Sequence, residues 1–257
     1  MNQISIKDIM SRAISIAKSA SVTEALDKML AEGADPLIVT HNGNAIGTVS
    51  RKSIAEILGS KRNSNLSPNA IHVANTVEDD FTSAYPDQGI DVVIPLLQHY
   101  KLVVVLDREH RLVGQVTGGD LLKVVKPDGT VEDILEPAYT ILADERVVHL
   151  RRRMLDENIS KFLVKDNGTV IGIVTETDVA TAMRSFRELV EDKYQDRRIR
   201  NLIVRDIMSS PVMTMEITAG IEQMVDLMLQ KGISCVPVTR SGSIAGIVTR
   251  QSVIRSM

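Results

Sequence analysis

Four times along this chain, a short β-branched apolar run crosses a glycine and stops at a hydroxyl residue opening a helix. The third copy is Val170-Ile171-Gly172-Ile173-Val174-Thr175-Glu176-Thr177-Asp178. The others are Ile46-Gly47-Thr48-Val49-Ser50-Arg51-Lys52-Ser53, Leu112-Val113-Gly114-Gln115-Val116-Thr117-Gly118-Gly119-Asp120 and Ile244-Ala245-Gly246-Ile247-Val248-Thr249-Arg250-Gln251-Ser252. The apolar run predicts a buried strand. A threonine three residues before an aspartate predicts a capping box. One copy would be ordinary capping chemistry, but four copies in one chain limit the fold to four small, similar units. The motif glycines at 47, 114, 172 and 246 are too far apart and too unevenly spaced for a solenoid.

The segments around each motif predict a β-α-β-β-α order. Repeat one opens with Ile6-Lys7-Asp8-Ile9-Met10-Ser11 and a short strand at Ile14-Ser15-Ile16. A capping box at Ser21-Val22-Thr23-Glu24 starts a helix that Gly33 ends. Pro36–Thr40 and Ala45–Val49 read as a hairpin turning at Asn42-Gly43. In repeat two the first helix is expected at about Asp91 to Tyr100, a turn shorter than its sisters, with Pro95 in or just past its first turn. Thr76-Val77-Glu78-Asp79 is read as the counterpart of Thr130-Val131-Glu132-Asp133. In repeat three Asp144 is expected to cap a helix, and the helix starting at Thr175 runs on through Phe186, Val190 and Tyr194 to Arg197-Arg198-Ile199-Arg200. Repeat four opens with Arg205-Asp206-Ile207-Met208-Ser209, echoing repeat one. The expected divisions are 4–59, 70–126, 130–184, a connector at 185–202, and 203–257. A polar linker lies at Gly59–Asn69.

Composition narrows the function. The formal net charge is −3, which gives no bulk attraction to nucleic acid or an acidic membrane. Tryptophan is absent and aromatics are 3%, a poor stacking platform for single strands. No apolar run reaches the roughly 20 residues of a spanning helix. The N-terminus lacks the features of a signal peptide. The single cysteine, Cys235, rules out an internal disulfide and fits a reducing, cytoplasmic setting. The five histidines show no metal-ligand spacing, and no catalytic constellation or phosphate loop stands out, so a non-enzyme is expected.

The Asp-Ile-Met-Ser openings, the Gly-Ile-Ser-Cys-Val-Pro-Val strand at 232–238 and the Gly-Ile-Val-Thr-x-x-Asp/Ser turns resemble CBS domains, named after cystathionine β-synthase. The resemblance covers essentially the whole chain. It implies an α+β fold of four CBS domains paired through their sheets into two modules, about 4–126 and 127–257. It also implies a regulatory role, with AMP, ADP, ATP or S-adenosylmethionine held in clefts between paired domains and no cofactor required. In residues, Thr117, Gly118, Gly119 and Asp120, with Thr175, Thr177 and Asp178, would clamp phosphate and ribose. The adenine slot implied in repeat three comprises Ala138, Tyr139, Ile141, Ile159, Ser160, Lys161 and Phe162. In repeat two it comprises Ser83, Tyr85, Tyr100, Lys101, Leu102 and Val103.

Repeats one and four depart from the pattern, with Ser53 and Ser252 where the others carry aspartate. They are expected to be degraded, leaving one strong site per module. Their cations Arg51, Lys52 and Arg250 would serve a phosphate held by the sister repeat. The implied partners are an adenine-containing small molecule, an unidentified protein target and a second copy of the chain. The alternative is a scaffold or nucleic-acid-associated protein contacting its partner through Arg197–Arg200.

Overall fold

The computed structural model describes residues 4–59, 67–189 and 201–257. Residues 60–66 of the expected linker and 190–200 of the expected connector, including Val190, Tyr194 and Arg197–Arg200, lie outside them. The chain divides into two compact units, Met1–Glu136 with Met215–Met257, and Pro137–Thr214.

In the first unit, repeat one contributes α1 (Ile6–Ile9), β1 (Ser15–Ala17), α2 (Val22–Ala31), β2 (Leu37–His41), β3 (Asn44–Val49) and α3 (Arg51–Gly59). Repeat two adds β4 (Ser83–Ala84), α4 (Ile90–His99), β5 (Leu102–Leu106), β6 (Leu112–Thr117) and α5 (Gly118–Leu122). The second unit holds β7 (Thr140–Leu142), α6 (Val147–Asp156), β8 (Lys161–Asp166), β9 (Thr169–Thr175) and α7 (Glu176–Leu189). Repeat four returns to the first unit with β10 (Met215–Glu216), α8 (Ile221–Lys231), β11 (Cys235–Arg240), β12 (Ser243–Thr249) and α9 (Arg250–Arg255). Each repeat makes one three-stranded sheet, its first strand parallel to the second and the second antiparallel to the third.

Local chemistry accounts for these boundaries. Ser21 accepts from the Glu24 amide while Glu24 accepts from the Ser21 amide and hydroxyl, which fixes the start of α2. Asn42-Gly43, Asn167-Gly168 and Ser241-Gly242 all have positive φ, as two-residue hairpins that match strand twist require. Two expected helix starts move. α4 is capped by Gly89 and has ten residues, as α2 and α6 do, so it is not a turn short; Pro95 lies beyond its first turn. α6 begins at Val147 after Arg146, whose side chain makes no cap hydrogen bond, so Asp144 is not the cap.

The segment preceding each repeat's first strand crosses to another repeat and adds to the free edge of its third strand. Ser11 and Gln115 exchange two backbone hydrogen bonds of 2.8 and 3.0 Å, and Glu78 and Thr48 two of 2.8 Å. Glu136 with Ile247 and Ser209 with Ile173 do the same. The lead-ins of repeats one and two are thereby exchanged, as are those of three and four. This register corrects one sequence alignment. Glu78 corresponds to Glu136, so Thr76–Asp79 and Thr130–Asp133 are not counterparts but sit four residues out of step.

The exchange explains the motif glycines. A Cβ on Gly47 would sit 2.5 Å from the Glu78 carbonyl oxygen, and one on Gly246 2.5 Å from that of Glu136. On Gly172 it would meet Met208 Sδ at 2.5 Å and the Ser209 oxygen at 3.0 Å; on Gly114, the Ser11 oxygen at 3.0 Å. The third strand must have no side chain where the lead-in crosses.

Alternating residues of β5 serve two cores. Leu102 and Val104 pack with Ile38 of repeat one, joining the first two sheets. Val103 and Val105 face a larger cluster that includes Val93, Leu97 and Leu121 of repeat two with Met224, Val236, Val253 and Ile254 of repeat four. α9 lies against α4 and α5, and Gln251 donates to the Leu97 and Gln98 carbonyls at the end of α4. The second unit has its own core around Ile141, Leu150, Met154, Phe162 and Val174. Among the described residues no helix is long and apolar enough to cross a membrane.

Candidate ligand site

The third strand of each repeat delivers a hydroxyl residue to the start of the second helix. In repeat two, Asp120 Oδ2 accepts from the Thr117 amide at 3.0 Å, its hydroxyl at 2.7 Å, and the Ser11 hydroxyl at 3.2 Å. Lys123 Nζ lies 3.2 Å from the other carboxylate oxygen. Asp120 is buried. In repeat three, Asp178 Oδ2 accepts from the Thr175 amide and hydroxyl at 2.7 and 2.6 Å, and Oδ1 from the Ser209 hydroxyl at 3.0 Å. Each aspartate is therefore fixed by its own cap and by a serine from an exchanged lead-in. Each carboxylate is held rigid with both oxygens engaged, and a diol binding there would share or replace the donors on Oδ1, Lys123 at Asp120 and Ser209 at Asp178.

Repeats one and four use a different source for the same group. The Ser50 hydroxyl donates to Glu78 at 2.6 Å, and the Thr249 hydroxyl to Glu136 at 3.0 Å. Glu78 and Glu136 stand at the lead-in positions of Ser11 and Ser209. Ser53 and Ser252, in the aspartate positions, turn back to the Ser50 and Thr249 carbonyls. Every copy thus keeps a carboxylate on its cap hydroxyl. Sequence reasoning missed Ser11, Ser209, Glu78 and Glu136. The signal was present in the Asp-Ile-Met-Ser openings, which align with Asp133-Ile134-Leu135-Glu136.

The implied adenine slots are less uniform. Ile141 and Phe162 are buried in the core of the second unit, and Leu102 and Val103 in cores of the first, so these four offer a ligand only their backbone. Tyr139 is 45% exposed and 6.4 Å from the Phe162 ring. Ala138 and Ile159 are half-buried. The Ser160 carbonyl accepts from the Glu176 amide, and Lys161 lies opposite Thr175 with Nζ 3.3 Å from the Ser160 hydroxyl. Thr177 is exposed at the first turn of α7. In repeat two the polar side chains are engaged elsewhere: Tyr100 donates to Asp80, Lys101 reaches Asp35, and Tyr85 lies under Arg108. Strand register places Ser83 opposite Val104, as Thr140 is opposite Leu163. Tyr85 is therefore the counterpart of Leu142 and not of Ile141.

The cations are engaged within the chain. Arg51 is mostly buried, with Nη1 3.7 Å from Asp35 and Nη2 3.4 Å from the Met29 and Ala34 carbonyls. Arg250 donates to the Ile233 carbonyl at 3.0 Å. Its Nη1 lies 3.7 Å from where a Gly119 Cβ would be, so it sits beside the cap of repeat two. Burial pushes the Arg250 pKa down, opposed by nearby Asp120. Lys52 lies half-buried on the first turn of α3. Arg152 and Arg153 form ion pairs with Asp156 and Glu157, as expected for a helix face. Among the described residues no cluster of His, Cys, Asp or Glu could hold a metal ion.

Four three-stranded sheets, each followed by a second helix and exchanging lead-ins, define a tandem array of small, similar α+β domains. The family profile of the CBS domain matches residues 6–60, 73–127, 130–185 and 204–257, and the chain belongs to that family. Protein MJ1404 of Methanocaldococcus jannaschii is 22% identical over 262 residues, covering 97% of this chain and 61% of the relative. Protein MK0525 of Methanopyrus kandleri is 33% identical over 113 residues, 43% of this chain and 53% of the relative. The chain thus spans between about half and two thirds of the length of these two relatives. Among solved structures, protein MJ1225 of Methanocaldococcus jannaschii, presented as a candidate archaeal homolog of g-AMPK, superposes with a TM-score of 0.82. The identity is 20%, with 98% of this chain and 99% of that one covered. A conserved protein from Pyrococcus horikoshii gives 0.65 at 19% identity over 98% and 99%. These structures share the fold.

Proposed function

We propose that the chain is a regulatory sensor that binds an adenine-containing ligand, AMP, ADP, ATP or S-adenosylmethionine, at the caps of repeats two and three. The observation that carries this reading is the pair of preset carboxylates, Asp120 and Asp178. Each is held by its cap threonine and by a serine from another repeat. A carboxylate so placed accepts the two hydroxyls of a ribose. Because the serine comes from another repeat's lead-in, binding there bears on the joint between repeats. That gives the bound state a route to a protein target. The g-AMPK description of the structural relative MJ1225 agrees with such a role. A reducing, cytoplasmic setting, a second copy of the chain as partner, and domain limits at 4–59, 70–126, 130–184 and 203–257 belong to the same reading.

A thermal-shift panel with the four ligands tests it. A ligand at one hundred times its dissociation constant adds about 2.7 kcal/mol of stability, which raises the melting temperature by several degrees. No shift with any of the four at millimolar concentration would favour an assembly role without ligand.

A further inference from the structure

The first residue of each second helix is Arg51, Gly118, Glu176 or Arg250. The two arginines lie in the repeats whose aspartate is replaced by serine. Both fold back onto their own repeat, and both reach the carbonyl seventeen residues upstream: Arg51 Nη2 to Ala34 at 3.4 Å and Arg250 Nη2 to Ile233 at 3.0 Å. That carbonyl precedes the second strand, where Tyr100 and Ile159 stand in repeats two and three. Among the described residues, neither the Tyr100 nor the Ile159 carbonyl accepts a backbone hydrogen bond from a turn, loop or cap. A guanidinium is a flat group with N–H donors along its edge. So is the amino edge of adenine, which needs a carbonyl acceptor of this kind.

We propose that Arg51 and Arg250 are internal occupants of the base position, filling the place of an adenine edge, so that repeats one and four are closed and only repeats two and three take ligand. This rests on the adenine reading above and reassigns the two arginines from phosphate contacts to specificity-determining residues. Arg51 is held further by Asp35, whose carboxylate also accepts from the Arg51 backbone amide at 2.9 Å. Displacing it would strip a mostly buried cation of its partners, a step a neutral base cannot compensate.

The sign of an affinity change separates the two roles. Equilibrium dialysis with labelled AMP is carried out on the full chain, on Glu176→Arg, on Glu176→Gln and on the Asp120→Asn/Asp178→Asn double variant, each checked for an unchanged melting profile. The expected result is no more than two AMP per chain, one fewer in Glu176→Arg, none lost in Glu176→Gln, and none bound by the double variant. Tighter AMP binding by Glu176→Arg would show that an arginine there contacts phosphate, and would overturn the proposal. Binding of more than two AMP by the parent chain would also overturn it while leaving adenine binding at repeats two and three intact, whereas residual AMP on the double variant would overturn both, because the reading places the ligand on Asp120 and Asp178. A parent chain that binds none of the four ligands overturns that reading and this inference with it.

Discussion

The hydroxyl of Ser50 donates to the carboxylate of Glu78 at 2.6 Å, joining the helix cap of one repeat to the lead-in of the next. In the reverse direction the Ser11 hydroxyl donates to Asp120 at 3.2 Å. Both carboxylates therefore come from repeat two and both serines from repeat one. The exchange between repeats three and four repeats this arrangement, with Asp178 and Glu136 on repeat three. Two repeats of the carboxylate-bearing type paired with each other would set glutamate against aspartate. The placement of charge thus disfavours an exchange between repeats two and three.

Moving the carboxylate tests this coupling. Glu78→Ser removes a hydrogen bond to a charged group and should cost about 1.5–3 kcal/mol. Ser53→Asp alone places a second carboxylate beside Glu78 and should also destabilise. The double variant rebuilds the arrangement of repeat two and should recover most of the loss. Denaturant midpoints in a double-mutant cycle would show a coupling energy of opposite sign to the single losses. Simple additivity would contradict the account.

Glycine substitutions should divide sharply. Gly246→Ala drives a Cβ to 2.5 Å from the Glu136 backbone oxygen, which cannot yield without breaking the bridge to Ile247. A loss of about 1–3 kcal/mol is expected. Gly118→Ala meets Ile254 Cδ1 and should also destabilise, by less, because a side chain can move. Gly119→Ala finds only ordinary contacts, the nearest at 3.6 Å, and should be close to neutral. Thermal melts of the three variants check this order.

Acid should loosen the caps first. The carboxyls of Asp8, Glu24 and Asp133 are held below the ordinary range by hydrogen bonds from the residue three positions earlier, led by the Ser5 hydroxyl for Asp8 and by the Ser21 and Thr130 amides for Glu24 and Asp133. A carboxyl with a lowered folded pKa binds fewer protons folded than unfolded. Its stabilisation is present above the unfolded value of about 4 and is lost as pH falls through the folded pKa. Melting temperature should therefore fall with pH below about 4. Glu24→Gln should reduce that slope and leave the slope at neutral pH unchanged.

The fold was largely legible because its signals are local. The Asn-Gly turns, the Ser21–Glu24 box and the glycine-crossed third strands each depend on residues within a few positions. The two misplaced helix starts failed where the expected cap was one of several nearby acids: Asp91 and Asp144 compete with backbone geometry at Gly89 and Arg146. Of the candidate site, the Thr-x-x-Asp pairs were legible and their serine partners were not. Ser11 lies 109 residues from Asp120, and no local pattern predicts that contact. The resemblance implies a phosphate-contact role for Arg51 and Arg250, and sequence alone does not show what holds them in the chain. The structure turns them inward because the carbonyl at the end of the first helix and, for Arg51, the Asp35 carboxylate lie within reach.

The central claim is that Asp120 and Asp178 each hold one adenine ligand. Its most direct test is a calorimetric titration of the full chain with AMP beside the single variants Asp120→Asn and Asp178→Asn. The account predicts two sites in the parent and one in each variant, with the remaining site unchanged in affinity. Titration curves of both variants that overlay the parent's would contradict it.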